Sequence, residues 1–233
     1  MEESTFDKKL GKIYLLYYKA KIYLGEAHLM HSPKGYLQKF ELEMPFRCDL
    51  DILDFLVSRR TPTYSMLSKK CWILFVLEIT KILSSKESFG IGKFYNQIFY
   101  KNIKTTAGLD CFKPVLQLIE PKNDIGIVRK LKFLRDKYYA HMDAEVERLT
   151  DRLFPTYDEA WDMMFVIEQF LTDIYSQKDS DIDLEINRHF HNYLREFKRT
   201  YEYFKTIQDP IEKMILRNHF DNEKSQAYFE SQE

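Results

Sequence analysis

Residues Phe6–Met30 read FDKKLGKIYLLYYKAKIYLGEAHLM, and the fold class follows from how their apolar positions repeat. Phe6, Leu10, Ile13, Tyr17, Ala20, Leu24 and Ala27 fall at alternating steps of four and three, which lays one apolar stripe along a helix. Lys8, Lys9, Lys12, Lys19 and Lys21 fall largely off that stripe. The stretch is therefore read as a long helix with a single buried face.

Working outward, Ser32-Pro33-Lys34-Gly35 is a turn signal, and Asp49 to Val57 reads as a short helix. Thr61-Pro62 opens a second long helix, with Thr as N-cap and Pro at the first helical position, running to about Leu83. Apolar residues cover most of its circumference between Cys71 and Leu77, which predicts the central, most buried helix. Ser84 to Lys122 reads as connecting material with short helical pieces, one of them Cys111–Ile119. A third long helix starts at Asn123 or Asp124, either of which can cap it, and Ile127, Leu131, Leu134, Tyr138 and His141 continue the alternating steps.

Thr156 and Glu159 form a capping box ahead of a fourth helix, whose inner residues are Trp161, Met164, Ile167, Phe170, Leu171, Ile174 and Tyr175. A fifth helix, from about Ser180 to Ile207, carries Ile186, Phe190, Tyr193, Phe197, Tyr201 and Phe204. Asp209-Pro210 restarts a short helix before a polar tail. No alternating run is convincing as a strand, and neither a fixed repeat nor a linker divides the chain. The expected fold is all-α, a helical bundle with appended helices.

The chain has 233 residues, enough for a continuous core, and a net charge of −1, so no global field draws it to nucleic acid or membrane. Any nucleic-acid site must be a local patch. Aromatic residues make up 15%, which argues against disorder, and the seven Gly and seven Pro are few, which favours long helices. Cys48, Cys71 and Cys111 are far apart and form no Cys-x-x-Cys pair, so reduced thiols are expected rather than a disulfide framework or zinc knuckle. The N-terminus lacks an apolar signal core, and the Cys71–Leu77 run is too short to span a bilayer. A cytoplasmic protein without membrane contact is the expectation.

Chemistry concentrates in Leu131–Asp143, LKFLRDKYYAHMD. Chance alone supplies about one Arg–His pair at such a spacing in this chain, so the weight rests on context. Six positions separate Arg135 from His141, which on an α-helix turns them roughly 120° apart and offsets them by about 9 Å. They are not a natural hydrogen-bonded pair within one helix, and a second copy of the helix is the way to complete a site. Arg129, Lys130, Lys132, Arg135 and Lys137 stand against Asp136 alone, a local cationic excess suited to a phosphate backbone. Tyr138 or Tyr139 can stack a base.

The segment Arg135-Asp-Lys-Tyr-Tyr-Ala-His141-x-Asp143, at the end of a helix in an all-helical chain, resembles the HEPN superfamily (higher eukaryotes and prokaryotes nucleotide-binding domains), nearest its abortive-infection branch. The likeness takes in roughly Phe6 to Gln177, with the short motif its specific part. It implies an up-and-down four-helix bundle over residues 1–178, leaving 179–233 as a C-terminal helical extension packed on the same domain. It also implies a homodimer whose Arg and His side chains line one cleft, and RNA cleavage by 2′-hydroxyl attack without metal or other cofactor. By that carry-over His141 acts on the ribose hydroxyl or the leaving oxygen, and Arg135 stabilises the charged phosphate. Asp136 is the polar residue that usually follows the Arg.

The roles fit the chemistry. An unperturbed imidazole titrates near pH ~6.5, close to what acid–base catalysis needs, and an Arg fork matches two phosphate oxygens. Asp136 or Asp143 can orient the imidazole, or simply satisfy the helix end. The likeness further implies a toxin or anti-phage effector, with an antitoxin or a nucleotidyltransferase as partner. Family members modified by the latter carry a Tyr two residues after the His, where this chain has Asp143. The rival readings are a non-catalytic module of the same fold that binds RNA, a nucleotide or a protein, and a purely structural helical scaffold in which Tyr138 and His141 are core-edge residues and the cations a solvated helix face.

Other features read more plainly. His28 and His31 stand three apart without an acidic or Cys partner nearby, which favours capping or surface roles over metal binding. Gly90 and Gly92 lack the spacing of a phosphate loop. Arg188-His189-Phe190-His191 with Lys198 and Arg199 reads as surface charge over a buried aromatic stripe, and Asp181 and Asp183 as helix-start charges.

Overall fold

The computed structural model describes residues 5–84, 87, 89–101, 109–119, 126–139, 154–177 and 182–206, and among these every regular element is helical. In chain order they are α1 (Thr5–His31), α2 (Pro33–Lys39), α3 (Leu50–Phe55), α4 (Pro62–Leu83), α5 (Ile91–Lys101), α6 (Phe112–Ile119), α7 (Ile127–Phe133), α8 (Tyr157–Ser176) and α9 (His191–Thr206). Two π-helical segments, Leu56–Arg60 and Leu134–Tyr139, extend α3 and α7. Short 3₁₀ turns, Leu109–Cys111 and Asn187–Phe190, lead into α6 and α9. None of the described helices is long and apolar enough to cross a membrane.

Contacts divide the chain into two compact units: Met1–His28 with Leu67–Arg188, and Leu29–Met66 with His189–Glu233. In the first unit the alternating stripe of α1 is the organising feature. Phe6, Leu10, Ile13, Tyr17, Ala20, Leu24 and Ala27 are all buried, because a helix turns every such position to one side. A run of aromatic rings, Phe6–Phe94–Phe112–Phe170, links α1, α5, α6 and α8 at centroid distances of 5.2, 5.9 and 4.8 Å. α8 starts at its predicted cap: Thr156 accepts from the Glu159 N–H at 3.1 Å, while Glu159 accepts from the Thr156 N–H at 2.9 Å. Gly90 precedes α5 for want of room, since a Cβ there would lie 1.8 Å from the Ser84 carbonyl oxygen.

In the second unit, Tyr36 meets Phe190 edge-on at 5.5 Å and Tyr64 meets Phe197 at 5.3 Å. The Tyr201 hydroxyl accepts from the Asp49 N–H at 2.8 Å. Asp49 also caps α3 through its carboxylate. Phe190, Phe197 and Tyr201 are buried, while Arg199 pairs with Glu196 at 2.6 Å on the outside of α9. The basic residues there are a solvated face over an aromatic stripe, as expected.

Several expectations are corrected. Ser32-Pro33 starts a helix rather than a turn. The Ser32 hydroxyl accepts from the Gly35 N–H, and the Asp54 carboxylate accepts from the Lys34 N–H, which together satisfy the first turn of α2. α4 is not the most buried helix: it buries one stripe, Ser68, Cys71, Phe75, Ile79 and Ile82, with Met66 and Leu74 exposed, while α1 buries a larger share of its residues. α7 begins at Ile127 behind an extended Gly126, not at Asn123 or Asp124, and its buried stripe passes through Val128 rather than Ile127. The fifth helix starts only after residues 182–186, which are non-helical, so Asp183 is not a helix-start charge. The helix expected at Asp209-Pro210 lies outside the described residues.

Candidate functional site

The Arg135 stretch begins as ordinary α-helix and then changes pitch. Val128, Leu131 and Leu134 face the core, and the Lys130 ammonium ties α7 to α8 through a 2.6 Å bond to Glu159. From Leu134 to Tyr139 the chain is π-helical, with hydrogen bonds spanning five residues instead of four and a wider turn. An α-helical phase count therefore does not carry across the segment that follows Leu134.

Within it, the Arg135 Nε donates to Asp136 Oδ1 at 2.6 Å, with the Arg side chain partly shielded and Asp136 exposed. Lys132 stands close enough to Arg135 that burial, with the guanidinium charge adding to it, lowers its pKa, a shift that Asp136 partly offsets. Lys130 is not part of this group, because its nearly buried ammonium is paired with Glu159. Burial acts to raise the Glu159 carboxyl, but the Lys130 and Thr156 hydrogen bonds outweigh it and hold the pKa below the ordinary value. Arg129 is exposed on α7. Lys137, Tyr138 and Tyr139 follow the π-helical backbone, while His141 and Asp143 lie outside the described residues. The structure thus gathers Lys132, Arg135 and Asp136, and commits Lys130 elsewhere.

A second polar cluster escaped the sequence reading. His28 is a buried core residue, not a cap or surface group: its Nδ1 accepts from the Trp161 Nε1–H at 3.1 Å, and its ring stacks on Tyr157 at 4.6 Å and 11°. Since the indole N–H only donates, Nδ1 carries no proton in this arrangement. The Ser68 hydroxyl donates to the Ala27 carbonyl at 2.8 Å, and the Tyr157 hydroxyl donates to the same oxygen at 3.2 Å. Cys71 Sγ lies 3.3 Å from Glu26 Oε2, and burial, reinforced by that carboxylate, pushes the thiol up to about 12. A thiol so held stays protonated and is a poor nucleophile. The cluster joins α1, α4 and α8. The only sequence signal for it is that His28 directly follows the stripe residue Ala27.

Among the described residues no group of three or more His, Cys, Asp and Glu could hold a metal ion. Comparison with known protein families, characterised proteins and solved structures finds no match. The class defined so far is an all-helical protein with a cation-bearing π-helical segment at the end of α7.

Proposed function

We propose that the chain is a HEPN-type endoribonuclease, metal-independent and active as a homodimer, in which Arg135 and His141 of two copies line one cleft. The observation that supports it is the Arg135–Asp136 pair on the π-helical turn. Asp136 occupies the Nε edge of the guanidinium, which leaves the fork of terminal amino groups for two phosphate oxygens. His141 would exchange protons with the ribose 2′-hydroxyl and the leaving oxygen. Lys132 adds a second positive charge beside the phosphate. A role as a toxin or anti-phage effector belongs to the same reading.

The test is cleavage of labelled RNA in the presence of a chelator. Arg135→Ala and His141→Ala should each reduce the rate by about 10²-fold or more, as removal of phosphate stabilisation or acid–base catalysis does. Full activity in both variants would overturn the assignment, and inhibition by the chelator would overturn the metal-free mechanism.

The second reading is a non-catalytic HEPN-like module that binds RNA, a nucleotide or a protein, and one observation favours its protein-binding form. Of the five cations expected to attract a phosphate backbone, Lys130 is bound to Glu159, and the charge of Lys132 is disfavoured by burial. That reading predicts affinity for its ligand without turnover and no effect of His141→Ala on RNA integrity.

A further inference from the structure

Opposite its buried stripe, α1 turns Thr5, Lys8, Lys12, Leu15 and Lys19 to solvent, at alternating steps of three and four. At about 100° per residue, Lys8, Lys12, Leu15 and Lys19 fall within a sector of roughly 60°. The three lysines span about 16 Å along the axis.

What sets this stripe apart is the absence of acids. Between Asp7 and Glu26 α1 holds five lysines and no acidic residue. Among the described residues Lys8, Lys12 and Lys19 form no ion pair, and none has an acid three or four positions away. Lys8 and Lys12 stand four apart, like charge to like, which disfavours a helix. Exposed cations elsewhere are paired at that spacing, as in Arg199–Glu196, Lys198–Glu202 and Lys81–Glu78. The acidic Asp183 and Glu185 lie along the flank where Tyr14 and Tyr18 hold their carbonyls, roughly 120° round the helix from the lysines.

α5 lies along the other flank. The Phe6 and Phe94 rings meet at 5.2 Å, the Lys9 ammonium donates to Gln97 Oε1, and Lys12 Nζ stands 5.3 Å from the centre of the Phe89 ring. The sequence from Phe89 to Leu109 holds Lys93, Lys101 and Lys104 and no acid, so this flank extends the positive field. It also carries a ring suited to stacking. Phe99 is 54% exposed and lies on Tyr95 at 5.9 Å and 20°, and Tyr95 in turn rests on the buried Phe112 at 5.4 Å.

We propose that the outer faces of α1 and α5 form a track for single-stranded RNA, with Lys8, Lys12 and Lys19 on the phosphate backbone and Phe99 stacking a base. It rests on the reading of the chain as an RNA-directed protein and adds a holding surface apart from Arg135. Unpaired lysines in a row attract a polyanion, and an exposed ring accepts any unstacked base without reading its sequence. The ligand class is therefore an unstructured strand rather than a particular sequence.

The test is the affinity of the full chain for a labelled 2′-O-methyl uridine oligonucleotide, which 2′-hydroxyl attack cannot cut, across a salt series. Lys8→Gln/Lys12→Gln/Lys19→Gln should flatten the slope of log affinity against log salt by about 2, with unfolding unchanged. Phe99→Ala should weaken binding by about tenfold with the slope intact. An unchanged slope in the triple variant would overturn the proposal. So would binding of the unaltered chain to phosphatidylserine vesicles but not to the oligonucleotide, which would assign the face to lipid. Loss of binding in Arg135→Ala alone would place the strand on α7, overturning this track while leaving the ribonuclease reading in place. Oligonucleotide binding through α1 by a chain that never cuts RNA would uphold the track and overturn the enzyme.

Discussion

The joint between α1 and α8 and the end of α7 each gather polar side chains, yet they are wired in opposite ways. At the joint the polar atoms face one another across helices: Trp161 donates to His28, and Ser68 and Tyr157 both donate to the Ala27 carbonyl. At the end of α7 Arg135 bonds its own neighbour Asp136, and Lys132 stands beside Arg135 like charge to like. A buried polar group must be satisfied, or it costs stability. Clustered cations with local partners cost little and keep their reach for an external anion. Burial and the origin of the partner set the two regions apart.

That contrast can be broken by mutation. Trp161→Ala should lower unfolding free energy by about 3–5 kcal/mol in chemical denaturation, because a fully buried indole leaves a cavity. Arg135→Ala should change it by no more than about 0.5 kcal/mol. Equal losses would erase the distinction. Trp161→Phe sharpens it: most of the volume stays, His28 Nδ1 loses its donor, and the expected cost is about 1–3 kcal/mol.

Smaller effects sit where α8 meets α7. Thr156→Ala removes the cap and should cost about 1 kcal/mol, measured by the same denaturation. The Lys130–Glu159 bond gives a pH signature. Because the folded Glu159 pKa is lowered, its stabilisation is fully present above the unfolded value of about 4.3 and is lost as pH falls through the lower folded value. Glu159 is partly exposed, so the amount should not exceed about 1 kcal/mol. In Glu159→Gln, stability measured across that acid window should lose this component of its slope.

What the sequence made legible was local. The stripe of α1, the Thr61-Pro62 start of α4 and the Thr156–Glu159 capping box all rest on residues within a few turns of one another, and the structure has each of them. Ser32-Pro33 shows the limit, since the same residues signal a turn or a helix start, and the choice was made by Asp54 from the next helix. His28 was obscure because its partner lies in α8, far along the chain. The non-helical run at residues 182–186 was missed because three aliphatic residues at a period of two are easily absorbed into a helical pattern that follows at once. At the candidate site the cations on α7 were legible, but the widening of the helix at Leu134 left no sequence trace, so the geometry drawn for Arg135 did not follow from counting.

The central claim is that the end of α7 is half of a site and that a second copy completes it. It is tested most directly by measuring RNA cleavage across a protein dilution series alongside sedimentation of the same samples. The account predicts a dimer whose specific activity falls in step with the dimer fraction as the protein is diluted. Undiminished specific activity from a monomer, or a stable dimer that cleaves no RNA under any dilution, would contradict it.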